Sequence, residues 1–99
     1  MTIAKAEATL TAQNTGTDPI VSNSDPINLV IDADAGSLVA TVYLQRRFTS
    51  FETSTWIDVR FYTSTTNEVI EELETGIEYR LFCKTGGFTS GSGYLRLSY

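Results

Sequence analysis

Hydrophobic residues along this chain recur at every second position and almost nowhere at helical spacing. Ile27, Leu29 and Ile31 alternate with polar neighbours. In the run 38–48, Leu38, Ala40, Val42, Leu44 and Phe48 share one face, and Val39, Thr41, Tyr43, Gln45 and Arg47 share the other. Leu10 and Ala12 alternate with Thr9 and Thr11 in 7–13; Ile57, Val59 and Phe61 fall on one side of 56–63. Tyr79, Leu81 and Cys83 do the same in 77–84, and Leu95 and Leu97 in 94–99. A period of two is the signature of a pleated strand with one buried face. The nearest helical candidate, 67–74, is short and is ended by Thr75-Gly76. With a further strand at 68–72, seven strands are predicted. Turn-rich stretches at 14–19, 22–26, 32–36, 49–55 and 85–93 separate them, and a short edge piece is expected at Ile20-Val21. Short strands at this spacing predict an all-β protein, a two-layer antiparallel β-sandwich spanning 1–99 as one domain, with an N-terminal arm at 1–6.

Composition narrows the chemistry. Thr is abundant and Lys rare, as suits half-buried strands. The 99 residues carry 12 acidic and 7 basic side chains, a net charge of −5. That balance disfavours nucleic acid as a direct partner, because a general binder must displace counterions from phosphates. There is no His and one Cys. His-dependent triads, His-ligated zinc, Cys-His nucleophile pairs and an intrachain disulfide are therefore excluded. No apolar run is long enough for a membrane helix, and Met1 to Glu7 lacks the basic and apolar pattern of a secretory signal, so folding in a cytoplasm is expected.

One segment bears on the corner of the fold. Ile70, Leu73, Gly76 and Tyr79 are spaced as in the corner between the fifth and sixth strands of immunoglobulin-like and fibronectin type III domains, which this segment resembles. The resemblance implies an immunoglobulin-like sandwich in which Leu73 plugs the corner and Gly76 turns the chain. The Tyr79 ring would fill the core's end, its hydroxyl bonding a backbone group upstream. Thr75 stands where fibronectin domains usually carry Pro. Cys83 reads as a small buried hydrophobe, since no His or clustered Lys would lower its pKa.

The remaining candidates are weighed by chemistry. Asp32 and Asp34 flank a turn, and Glu71, Glu72 and Glu74 crowd another, but neither supplies the converging oxygens a hard cation needs. The glycines of 85–93 lack a following Gly-Lys-Ser/Thr, so they cradle no phosphate. No metal or cofactor is expected, and no enzyme activity. Phe88, on an expected mobile tip, has the character of a contact residue. Arg46, Arg47, Arg60, Arg80 and Arg96, with Tyr43, Tyr62, Tyr94 and the acidic groups, can form a polar outer sheet face of Arg-carboxylate and Arg-aromatic contacts; a solvated face is the favoured reading, and docking on another protein is its functional alternative. The loop 49–56 resembles the Asp-box hairpin at Thr55-Trp56, with Phe51 and Thr53 in place of its Asp and Gly. Trp56 is then a packing residue capping that hairpin, with sugar stacking as its alternative role.

From Leu38 to Tyr99 the chain resembles a family of small phage proteins. The matching pieces are Val42-Tyr43-Leu44-Gln45-Arg46-Arg47-Phe48, Thr55-Trp56-Ile57-Asp58-Val59, Tyr79-Arg80-Leu81, Lys84-Thr85-Gly86-Gly87-Phe88-Thr89-Ser90-Gly91 and Leu95-Arg96-Leu97-Ser98. Arg47 replaces a common Ser. The resemblance implies a phage virion structural protein, a capsid decoration (cement) protein that binds the outer surface of the major capsid protein shell. Alternatives are a carbohydrate-binding module that recognises surface glycans on behalf of the virion, and a tail or head-tail connector subunit. Expected partners are the major capsid protein or another virion protein, or further copies of the chain as a homo-oligomer, with no direct nucleic acid and no membrane. The expected contact aromatics are Phe51, Phe88, Tyr94 and Tyr99. The protein would be made in the host cytoplasm and reside in the virion.

Overall fold

In the computed structural model, residues 4–33, 37–48 and 55–99 are described, and they contain strands and turns but no helix. The strands are β1 (Lys5–Leu10), β2 (Thr15–Gly16), β3 (Ile20–Asn23), β4 (Ile27–Ala33), β5 (Val39–Ala40), β6 (Val42–Phe48), β7 (Ile57–Tyr62), β8 (Thr66–Ile70), β9 (Thr75–Cys83), β10 (Phe88–Ser90) and β11 (Gly93–Ser98). One sheet has the order β1-β11-β4-β8. The other has the order β2-β9-β6-β7, with β3 continuing the β2 edge along β9. A two-stranded ribbon, β5 with β10, lies at one end. Every pairing is antiparallel.

The alternation seen in the sequence is what puts the two sheets together. Leu10, Ile27, Leu29, Ile31, Leu95 and Leu97 of the first sheet are buried against Val42, Leu44, Ile77, Leu81 and Cys83 of the second. Each large side chain removed from water in this way stabilises the fold by about 1.5–3 kcal/mol. The expected all-β antiparallel sandwich is formed. Its strand order, however, differs from the immunoglobulin arrangement. There the last strand would lie beside the strand carrying Tyr79. Here β11 lies between β1 and β4, and β3 takes the place beside β9. The apolar stripe of β11 explains the placement: Leu97 sits between Ala6 and Leu29, and Leu95 between Ala8 and Ile31. With β2 and β3 counted as one interrupted strand, the order is that of an eight-stranded double-sheet jelly roll.

Three further expectations are corrected. The arm predicted at 1–6 begins its pairing at Lys5, Ala6 is buried, and the Tyr99 amide donates to the Ala4 carbonyl, so Lys5 and Ala6 belong to the sheet, while 1–3 lie outside the described residues. The run 38–48 is broken at Thr41, whose amide donates to the Gly87 carbonyl at 2.7 Å. Ile57, Val59 and Phe61 do not form a buried face. All three are exposed, because β7 is an edge strand and a bulge opposite Leu44 and Gln45 inserts one extra residue.

The corner is built differently from the expectation too. Tyr79 does fill the end of the core, but its hydroxyl donates to the Glu72 carboxylate at 2.6 Å, a side chain rather than a backbone group. Leu73 is 80% exposed and plugs nothing. Two serines of the facing segment do the work that Leu73 was expected to do. The Ser22 hydroxyl donates to the Glu74 carbonyl (2.7 Å) and accepts from the Ile77 amide (2.9 Å), and Ser24 donates to the Leu73 carbonyl (2.9 Å). The corner's backbone is thereby satisfied without an apolar plug. Gly76 sits at φ +83° with open space where a Cβ would be, so the left-handed backbone, not crowding, calls for glycine.

Candidate docking face

The outward positions of β6, β7 and β9 form a ladder of charged and aromatic side chains. In one rung Phe61, Tyr43 and Phe82 lie side by side; in the next, Asp58, Gln45 and Arg80; in the third, Arg47, Glu78 and Val21 of β3. Directly opposed side chains on a sheet face are close enough to interact. At Gly16, opposite Phe82, a Cβ would stand 2.7 Å from the phenyl ring and 2.3 Å from the Leu81 carbonyl oxygen, so glycine is what lets that ring lie over β2.

Trp56, just before β7, brings the rungs together. The guanidinium carbons of Arg47 and Arg80 each lie 4.3 Å from its ring centroid, and Arg80 lies 4.2 Å from that of Phe82. The Lys84 ammonium sits 4.2 Å from the Tyr43 ring centroid. Such cation–ring contacts are worth about 0.5–2 kcal/mol each. Gln45 is buried, 4% exposed, and links the charges: its Nε2 donates to Asp58 Oδ1 (2.9 Å), and its Oε1 accepts from Arg80 Nε (2.8 Å). Lys84 bonds the other Asp58 oxygen. These contacts with Lys84 and Gln45 hold the Asp58 carboxyl below its usual pKa. Arg47 bonds both Glu78 oxygens, at 3.3 and 3.0 Å. Burial, then the neighbouring Arg47 charge, pull the Arg80 pKa below its usual value.

The structure divides the residues proposed for the arginine face. Arg47, Arg80 and Tyr43 share the ladder. Arg60 and Tyr62 bond Glu68 at the edge between the sheets, and Arg46 lies 3.7 Å from Glu72 and over the Phe48 ring. Arg96 and Tyr94 lie on the outer face of the other sheet, in register with Glu7 and Thr9. The proposed contact aromatics are not brought together either. Tyr94 is 38% exposed on that opposite face, while Phe88 is paired with Ala40 and, like Tyr99, packs against the core. Asp34 and the 49–54 loop, Phe51 included, lie outside the described residues. Sequence reasoning missed Phe82, Glu78 and Lys84, although they alternate with the buried Tyr79, Leu81 and Cys83.

Among the described residues no three acidic or cysteine side chains converge as a metal site, and Cys83 is buried, its thiol pKa raised by that burial. A cavity of about 210 Å³ at the sandwich mouth is lined by Ile31, Leu38, Val42 and Tyr62, among others. The chain matches no protein-family model, no curated protein and no solved structure.

Proposed function

We propose that this chain is a phage virion structural protein, a capsid decoration (cement) protein that docks through the outer face of the β9-β6-β7 sheet. The observation that carries the docking reading is the ladder around Trp56. It presents rings and guanidiniums, the side chains over-represented among interface anchors, already held in place by one another. Its charge also sets it apart. Arg47, Arg80 and Lys84 face Asp58 and Glu78, a local excess of one positive charge on a chain of net −5.

The virion placement rests on the ordered motifs of residues 38–99. The jelly-roll order recurs in viral capsid and lectin domains, so it suits shell docking and glycan binding alike and by itself assigns neither. From strand spacing the ladder covers about 400 Å², about half the one-sided area of a standard interface. A single copy would bind weakly, and occupancy would come from the high local density of repeated sites on a shell.

The test is sedimentation of the purified protein with capsid shells that lack it. The proposal expects saturable, stoichiometric co-pelleting that weakens with Trp56→Ala at unchanged fold. Protein that stays in the supernatant with shells but pellets with tails would move it to the connector reading. Binding only to a glycan array would move it to the carbohydrate reading.

A further inference from the structure

Arg80 is the cation of the ladder whose charge is left over. Arg47 is matched by Glu78 and Lys84 by Asp58, whereas Arg80 forms no ion pair among the described residues. Its Nε is engaged by Gln45, and Gln45 is in turn fixed by Asp58, so the guanidinium is oriented through a two-step chain of hydrogen bonds. The ring centroids of Trp56 and Phe82 lie 4.3 and 4.2 Å from its guanidinium carbon. Its terminal nitrogens have no hydrogen-bond partner among the described residues, yet they are not among the buried unsatisfied atoms, so they reach solvent. A half-buried arginine held this way, with its Nε fixed, both terminal nitrogens unbonded and two rings close by, is preorganised for a planar two-oxygen acceptor.

We propose that Arg80 is a carboxylate-reading position: it takes an Asp or Glu side chain of an acidic protein segment, bound in the bidentate manner, with Trp56 and Phe82 as the walls of the site. The inference rests on the docking reading above and names the partner's chemistry. An acidic occupant is favoured by the local excess of positive charge, and the two neighbouring carboxylates, Asp58 and Glu78, are already committed to Lys84 and Arg47. A sulfated or phosphorylated polyanion carries more charge and three-fold rather than planar oxygen geometry.

Trp56 is the only tryptophan of the chain, so its emission reports on this site alone. The probe is a hexaglutamate peptide titrated at low ionic strength, with a heparin hexasaccharide and a hexalysine peptide alongside. The expected result is a saturable change in Trp56 emission with hexaglutamate, a weaker response to heparin, and none to hexalysine. Arg80→Met and Arg80→Lys should each weaken hexaglutamate by about tenfold or more, as loss of a charge-assisted bidentate bond requires. Lys5→Met, which removes a cation from the β1-β11-β4-β8 sheet, should change it less than threefold. Circular dichroism and the urea midpoint show that each variant is folded, and Arg80→Lys keeps the charge if Arg80→Met does not fold. Hexaglutamate binding unchanged in Arg80→Lys, or heparin binding more tightly than hexaglutamate, overturns the inference. Shells bound equally by wild type and Arg80→Lys would overturn it while leaving the docking reading intact; shells bound by neither would sink the docking reading, and the peptide titration would still decide the inference.

Discussion

Replacing Ser22 by Ala should destabilise the protein far more than replacing the larger Leu73. Ser22 is buried, and its hydroxyl serves two backbone groups of the corner, donating to the Glu74 carbonyl and accepting from the Ile77 amide. The Ile77 amide is buried, so Ser22→Ala leaves it without a partner at a cost of about 1–3 kcal/mol. Glu74 is exposed and its carbonyl can turn to water, so that half of the loss adds only about 0.5–1 kcal/mol. The sum is about 1.5–4 kcal/mol, which for a chain of this size is about 6 °C or more in Tm. Leu73→Ala removes a side chain that is already in water and should stay within about 0.5 kcal/mol. Urea unfolding followed by Trp56 emission, with equal m-values, measures both. If Leu73→Ala costs more than Ser22→Ala, the corner is plugged as in an immunoglobulin domain and the serine account fails.

Other consequences can be measured on the same footing. Leu81, fully buried between the sheets, should cost about 2–5 kcal/mol when cut to Ala, and a loss under 1 kcal/mol in urea unfolding would contradict the core described. Gly76→Ala should cost about 1–2 kcal/mol through backbone conformation alone, since no atom crowds the site; a neutral effect would mean that the turn relaxes. Asp58 has its folded pKa lowered by Lys84 and Gln45, so its contribution is present above the ordinary value of 3.8 and is lost as pH falls through the lowered one. The urea midpoint of Asp58→Asn should accordingly show a shallower acid limb than wild type. Burial and the Glu68 carboxylate push the Tyr62 phenol up to about 12. Stability should therefore fall as pH rises from 10 through that value, and ultraviolet titration of Tyr62→Phe should lack the most alkaline phenol.

Much of the fold can be read in the alternation of apolar residues. Leu29, Leu44, Leu81, Leu95 and Leu97 are buried where period two places them, because each lies on a strand paired on both sides. Alternation misleads at β7, where Ile57, Val59 and Phe61 keep the pattern without the burial. An edge position and a bulge are properties of pairing, which no local window contains. The same holds for strand order: the apolar stripe of β11 fits beside β9 or between β1 and β4 equally well in sequence, and the choice depends on what else fills each slot. At the corner, Gly76 and Tyr79 are legible because one needs a backbone conformation and the other is a large ring at a core end. Ser22 is not, since it reaches the corner from 55 residues away along the chain. The ladder is half legible. Tyr43, Gln45 and Arg47 are visible as one face of a strand, but their meeting with Arg80 and Trp56 depends on the β6-β9 register.

The most direct test of the central claim is the accessibility of Trp56 to acrylamide, measured free and on capsid shells that bind the protein. Docking through the β9-β6-β7 face predicts that quenching falls sharply on binding, because the ladder around the indole is covered. Unchanged quenching in protein that has pelleted with the shells would mean that another surface makes the contact.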